Sequence, residues 1–228
     1  MEQRTKEWFL ARKGKFTASE IYNLLTTSKK KDELFGETAM SYIKEKVSEY
    51  LMSDDVFSEI QCMNFSNAAT RWGETYESEA RDLYMEITGM NIYETGFVEY
   101  TKYSGGSPDG VNEDSKGLIE IKCPFNSSKH IEFMMMEKPE DLLKLSKQYY
   151  YQCQANMMFC QKEYLDFISY DPRFSPLLRM KILRIPAKKE DFELLHHRIE
   201  IAETILDEFV QNVTRKGIEQ FNKYNKVA

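Results

Sequence analysis

Two acidic side chains and one lysine lie close enough along the chain to act together. Asp109 belongs to a Ser-Pro-Asp-Gly turn, and Glu120 and Lys122 follow in the apolar run Leu118–Lys122. Successive side chains of a strand point to opposite faces, so Glu120 and Lys122 would share one face while the isoleucines beside them occupy the other. A hairpin return would then bring the Asp109 carboxylate next to Glu120.

This grouping suits metal-assisted hydrolysis of a phosphodiester. The uncatalysed reaction is extremely slow, and carboxylate oxygens hold Mg²⁺ where it activates water and neutralises phosphoryl charge. Asp109 and Glu120 would be the ligands, with the main-chain carbonyl of Ile121 completing the metal shell. Lys122 would orient the attacking water or help to deprotonate it. The ordinary alternative is an exposed Glu-Lys pair and a common turn, and the full spacing favours a nuclease centre over it.

The elements that must position these groups follow from the spacing of apolar residues. Thr17-Ala18-Ser19-Glu20 has the pattern of a capping box, which predicts a helix continuing through Ile21, Leu24 and Leu25 with Ser19 in its first turn. Further helices are predicted over Thr38–Leu51, Asn67–Gly89, Lys147–Cys160 and Lys188–Val213. Strands are predicted over Ile92–Tyr100, Tyr103–Val111, Leu118–Lys122, Tyr164–Tyr170 and Leu178–Ile185. In the helix Asn67–Gly89, the predicted core residues are Trp72, Tyr76, Ala80, Leu83 and Ile87. This order predicts an α/β fold with a central mixed β-sheet flanked by helices, formed by all 228 residues as a single domain.

Composition limits the class of protein. The chain has no apolar run long enough to span a bilayer and no signal-peptide pattern, so we expect a cytoplasmic protein without a membrane partner. The spacing of its four cysteines favours neither disulfides nor a zinc site. A net charge of −6 and a pI near 5.3 argue against a broad DNA-coating surface, but they are compatible with a locally basic channel.

Beyond the spacing, the chain resembles a known nuclease family. Pro108-Asp109 and Glu120-Ile121-Lys122 are similar to the PD-(D/E)xK motif of restriction endonuclease-like nucleases. Further motifs, in the same order, are similar to those of the lambda exonuclease-like viral recombination nucleases of the YqaJ type. These motifs are Thr17-Ala18-Ser19-Glu20, Met40-Ser41-Tyr42, Trp72-Gly73 with Tyr76-Glu77, Ser107-Pro108-Asp109-Gly110, Glu120-Ile121-Lys122-Cys123-Pro124-Phe125, Tyr149-x-x-Gln152-x-Gln154 and Tyr170-Asp171-Pro172-Arg173.

The resemblance implies a role for each matching residue. It implies that Asp109, Glu120 and the Ile121 carbonyl bind Mg²⁺, with two ions expected and Mn²⁺ as an alternative, and that Lys122 positions the water. The remaining implied roles are an additional acid at Glu77, a glutamine over the same centre at Gln154, phosphate contacts from Ser19 and Ser107, and binding of a terminal 5′-phosphate by Arg12.

The same resemblance implies an activity and an assembly. Such a protein would be a Mg²⁺-dependent 5′-to-3′ exonuclease that digests one strand of linear double-stranded DNA from a 5′-phosphorylated end. It would act in phage-type recombination in the host cytoplasm, as a ring-shaped homotrimer and with a single-strand annealing protein as its partner. The alternatives are a PD-(D/E)xK endonuclease and a non-catalytic DNA-binding domain of the same fold.

Overall fold

The protein is described by a computed structural model that covers residues 2–30, 33–64, 68–114 and 116–225, with the backbone alone at 62–64 and 225. These residues form eight α-helices, namely α1 (Lys6–Arg12), α2 (Glu37–Leu51), α3 (Asp54–Asn64), α4 (Ala68–Thr88), α5 (Ser127–Met134), α6 (Pro139–Leu145), α7 (Lys147–Cys160) and α8 (Lys189–Asn225). A 3₁₀ helix covers Ile21–Leu25. The strands are β1 (Phe16–Thr17), β2 (Ile92–Tyr93), β3 (Val98–Thr101), β4 (Ser104–Gly106), β5 (Gly110–Asn112), β6 (Gly117–Lys122), β7 (Tyr164–Tyr170) and β8 (Met180–Pro186).

Two mixed sheets are present where one was predicted. The larger sheet has the order β2-β5-β6-β7-β8, with β6 and β7 parallel and the other pairs antiparallel. The smaller sheet has the order β1-β4-β3. The predicted strand Tyr103–Val111 divides between them because Pro108 has no N–H to donate to a strand partner. Asp109 therefore lies where the chain passes from one sheet to the other.

Strand β6 is covered on both faces, which explains its almost continuous burial. Leu118 packs with Cys153 and Met157 of α7, and Ile119 and Ile121 pack in a second cluster with residues of α4. The predicted alternation is therefore confirmed. The face that carries Glu120 and Lys122 is turned towards α7 and is largely closed to solvent.

The capping box predicted at Thr17 is wrong. Thr17 belongs to β1, which pairs in parallel with β4, and its N–H donates to the Tyr42 hydroxyl at 3.1 Å. Because sheet pairing holds the backbone extended at Thr17, the chain cannot start a helix there. Only the 3₁₀ helix Ile21–Leu25 follows, and Glu20 at its N-cap position makes no side-chain capping bond. Ser19 accordingly lies in a turn.

Other predicted elements have the correct type but different limits. In α4, whose predicted first residue Asn67 lies outside the described residues, Ala80 is buried as expected. Tyr76 and Leu83 pack against the hydrophobic cluster as partly buried residues, and Tyr84, which was not among the predicted core residues, is fully buried. Ile87 is 58% exposed because it lies in the last turn, outside this cluster. Helices α1, α3, α5 and α6 are not among the predicted elements, because each has only 7 to 11 residues.

Two expectations from composition concern membranes and disulfides. None of the helices described is both long enough and apolar enough to cross a lipid bilayer. Cys123, Cys153 and Cys160 are free thiols, in agreement with the prediction, and the side chain of Cys62 lies outside the described residues.

Candidate active site

The turn at Asp109 is bonded directly to strand β6. The Asp109 N–H donates to the Ile119 carbonyl at 3.2 Å, and the Ile121 N–H donates to Asp109 Oδ2 at 2.6 Å. The antiparallel pairing of Gly110 with Ile119 continues this contact into β5. The carboxylate of Asp109 is thereby fixed beside the strand that carries Glu120, as the hairpin argument predicted.

Glu120 is almost completely buried and accepts three hydrogen bonds. Lys122 Nζ and Gln152 Nε2 each donate to its Oε1 at 2.6 Å, and Asn156 Nδ2 donates to its Oε2 at 3.0 Å. The Lys122 ammonium also lies 4.9 Å from the centre of the Tyr149 ring. Glu120 is therefore held in one orientation by β6 and α7 together.

The glutamine predicted over this centre is the wrong one. Gln154 is buried, but its Nε2 donates to the Pro186 carbonyl at 3.0 Å and its Oε1 accepts from the Lys188 N–H at 3.1 Å. Residues four apart share a helix face, so Gln152 and Asn156 point to Glu120 while Gln154 points away. Tyr149 also faces Lys122. Gln152 lies three positions after Tyr149 and Asn156 four positions after Gln152, so helical spacing places all three residues on one face.

Glu77 of α4 lines the same cavity as Asp109 and Glu120. Its Oε1 accepts from Arg81 Nη2 at 3.0 Å, and its Oε2 accepts a hydrogen bond from Arg4. No pattern in the sequence indicates a role for Arg4, which lies in a polar segment before the first helix. Two arginines therefore neutralise the additional acid.

Arg12, Ser19 and Ser107 lie in the wall of this cavity, which has a volume of about 310 Å³. Ser107 Oγ accepts from Trp8 Nε1 at 2.9 Å and from Arg12 Nη1 at 3.5 Å. The Arg12 guanidinium lies 4.1 Å from the Trp8 ring centre, and no salt bridge joins it to a carboxylate within the part of the chain described. Burial lowers the pKa of Arg12 to about 10, so it stays charged at neutral pH.

Burial raises the pKa of both central carboxylates. Burial, followed by the charges of Glu120 and Glu77, raises the pKa of Asp109 well above its usual range. Burial also raises the pKa of Glu120, although Lys122 opposes it. Burial alone would lower the pKa of Lys122, but the carboxylates of Glu120 and Asp109 raise it above its ordinary value. A bound cation would therefore favour the ionised form of both acids.

The donor set fits a hard divalent cation that keeps part of its own hydration. No group of three or more His, Cys, Asp or Glu side chains is arranged to hold a metal among the residues described. Asp109 and Glu120 offer carboxylate oxygens, and Ile121 lines the cavity although its side chain packs in the core. Mg²⁺ typically takes one or two carboxylates and completes its shell with water and substrate phosphate. These residues can hold it in that way.

The raised pKa values predict that the metal-free protein becomes less stable as pH rises above the ordinary carboxyl pKa of about 4. Between that pH and the raised pKa of Asp109, the folded protein keeps a proton that the unfolded chain has lost. The free energy of unfolding should then fall by up to about 1.4 kcal/mol per pH unit for one such proton. Chemical denaturation in EDTA across this range would measure it. Asp109→Asn should weaken the dependence, and an unchanged slope in that variant would contradict the prediction.

Comparisons with known proteins agree with this geometry. Residues 7–163 match the family model of the YqaJ-like viral recombinase domain. The alkaline exonuclease LHK-Exo of Laribacter hongkongensis is 27% identical, with a TM-score of 0.77 over 95% of this chain and 100% of that chain. Its complex with dAMP gives a TM-score of 0.75 at the same identity and coverage.

A phage-related exonuclease of Haemophilus somnus 129PT is 16% identical, with a TM-score of 0.69 over 90% of this chain and 99% of that chain, and its likeness concerns the fold alone. No curated protein sequence matches the chain. The similarity to the alkaline exonuclease confirms the predicted PD-(D/E)xK-like fold class.

Proposed function

This chain belongs to the YqaJ-like viral recombinase family, and on that premise we propose that it digests one strand of linear double-stranded DNA from a 5′-phosphorylated end. One observation carries the proposal: Arg12, a half-buried arginine that forms no ion pair among the described residues, shares a cavity with the acids Asp109 and Glu120. A guanidinium without a bonded carboxylate favours an anionic ligand such as phosphate. A phosphate-binding group and a hydrolytic centre would thus face the same DNA end.

We propose that Asp109, Glu120 and the Ile121 carbonyl hold Mg²⁺, for which Mn²⁺ could substitute. The bound ion would lower the pKa of a water and neutralise charge on the phosphoryl oxygens. Lys122 would orient the attacking water, because its ammonium lies on the same face of β6 as Glu120. Gln152 and Asn156 would keep the Glu120 carboxylate aimed at the metal. A second ion, also expected, would have fewer protein ligands because Arg4 and Arg81 occupy Glu77.

Phosphate contacts at the DNA end would come from Arg12, Ser19 and Ser107. The Trp8 indole holds Ser107 Oγ and also lies against the Arg12 guanidinium, so the two phosphate-binding groups are fixed relative to each other. Digestion that starts at a bound 5′-phosphate would proceed from 5′ to 3′ and leave the complementary strand unpaired. An endonuclease with the same acids would have no use for this arrangement.

Linear and covalently closed circular duplex DNA distinguish the exonuclease from the endonuclease. With Mg²⁺, the protein should degrade linear 5′-phosphorylated duplex and leave the closed circle intact. With EDTA in place of Mg²⁺, both DNAs should remain intact. Cleavage of the closed circle would favour the endonuclease. Binding of both DNAs without cleavage at any metal concentration would favour the non-catalytic domain.

The proposed role in the host cytoplasm is phage-type recombination by single-strand annealing, with an annealing protein receiving the unpaired strand. A ring of three copies around the DNA would reconcile the net charge of −6 with DNA binding, because only the inner surface of the ring must be basic.

The ring predicts a solution mass of about three times the 26.9 kDa chain, independent of protein concentration over a wide range. Light scattering coupled to gel filtration would measure it. A mass equal to one chain would contradict the ring.

A further inference from the structure

The loop after β6 presents an aromatic ring to solvent beside the candidate active site. Phe125 is 53% exposed, although its main chain is tightly held. Arg173 Nη1 donates to the Phe125 carbonyl at 3.1 Å, and Arg173 Nη2 donates to the Pro124 carbonyl at 3.0 Å. The exposed ring is therefore carried by a loop with a fixed main chain.

Arg173 is itself fixed on two sides. Its Nε and Nη2 donate to the fully buried carboxylate of Asp171 at 2.8 and 2.7 Å. Its guanidinium lies 4.4 Å from the centre of the Trp72 ring, and Trp72 meets the edge of Phe125 with 6.0 Å between ring centres. An ion pair to a buried carboxylate and an aromatic contact thus support one solvent-facing phenylalanine.

Phe125 forms one wall of a second cavity, of about 330 Å³, next to the hydrolytic cavity. Tyr149 lines the same cavity, as does Lys129, whose ammonium pairs with Glu132 at 2.7 Å. Lys122 and Cys123 line both cavities, whereas Arg12 lines only the hydrolytic one of these two. The two cavities therefore meet at Lys122 and Cys123.

We propose that the Phe125 cavity binds the base on the 3′ side of the cleaved bond, stacked on the Phe125 ring. The inference rests on the proposed function. With the 5′-phosphate bound at Arg12 and the bond cut at Asp109 and Glu120, the next nucleotide would lie beside Lys122, which also lines the Phe125 cavity. An aromatic ring stacks on any of the four bases, so this site holds the strand without selecting its sequence. The base must be unpaired to enter, so the site also helps to separate the end of the duplex.

The test uses full-length protein in EDTA and a 5′-phosphorylated oligonucleotide with 2-aminopurine at the second nucleotide. Stacking on Phe125 should quench the fluorescence of this base on binding, whereas 2-aminopurine at the tenth nucleotide should respond little. Phe125→Ala should remove the quenching and weaken binding about 5- to 150-fold, the effect of one lost base–aromatic stack. Phe125→Trp should restore both, and Phe125→Leu should not. Phe221→Ala is the matched control, since Phe221 is 68% exposed on α8.

Each outcome bears on the proposal. Quenching that persists in Phe125→Ala, or binding within twofold of wild type in that variant, would overturn it. Full binding by Phe125→Leu would also overturn it, because leucine retains apolar contact without stacking. Circular dichroism of each variant and the recovery in Phe125→Trp separate a lost contact from a lost fold. Failure of the proposed function has another signature, namely a wild-type protein that does not degrade linear duplex with Mg²⁺.

Discussion

Asp109→Asn should reduce degradation of linear DNA by about 10²-fold or more and leave the protein folded. The amide oxygen of asparagine can still accept the Ile121 N–H that Asp109 Oδ2 accepts at 2.6 Å, so the turn keeps its contact with β6. The substitution removes the negative charge that would bind the metal. It also removes the repulsion from Glu120 and Glu77 that helps to raise the pKa of Asp109. Stability near neutral pH should therefore be retained or increased.

Glu120→Gln and Lys122→Ala should cause losses of similar size for different reasons. Glu120→Gln would remove the second proposed metal ligand, and Lys122→Ala would remove the group proposed to orient the water. Each also breaks the 2.6 Å ion pair between them, so thermal unfolding must be measured beside activity. Glu163→Gln, at an exposed acid, is the matched control. Digestion at the wild-type rate by folded Asp109→Asn would refute the assignment of the site.

Much of this site was predictable because it depends on local rules. Alternation along one strand placed Glu120 and Lys122 together, and a turn eleven residues before Glu120 supplied Asp109. These relations hold whichever elements pack around the strand. The residues that surround Glu120 come from α7, whose position over β6 is a tertiary contact. Strand spacing therefore identified the acids and could not identify the amides that orient them.

The wrong assignments at Gln154 and Thr17 have different causes. Gln154 was chosen from the family motif, although helix geometry places Gln152 and Asn156 on the face that meets Glu120. Thr17 was assigned to a helix on a local pattern, but pairing of β1 with β4 is stronger than a capping signal. That pairing joins residues nearly ninety positions apart, so no local pattern could reveal it. Glu77, in contrast, reaches the site as expected, and only its arginine partners were missed.

Arg12→Ala should selectively reduce the preference for a 5′-phosphate. The wild-type protein should digest a linear duplex with a 5′-phosphate faster than one with a 5′-hydroxyl. The reason is that the Arg12 guanidinium would bind the terminal phosphate dianion through paired hydrogen bonds. Hydrogen bonds to charged groups contribute about 1.5–3 kcal/mol, so the variant should lose about 10- to 150-fold on the phosphorylated end. Its rate on the hydroxyl end should change little.

The helix N-terminus expected near Thr17 does not contribute to this site, since the chain there is a strand and a turn. We therefore expect recognition of the 5′-phosphate to depend mainly on Arg12, so that its substitution tests this role directly. Arg12→Lys should keep part of the preference, because it retains the charge but loses the paired geometry. Arg215→Ala, at an exposed arginine of α8, is the control.

Lys122→Ala should instead abolish cleavage of both ends, which separates binding of the end from hydrolysis. Initial rates on paired substrates that differ only in the 5′ group would measure these effects. Equal wild-type rates on the two ends would show that Arg12 does not bind a terminal phosphate. The acids of the site would then favour an endonuclease.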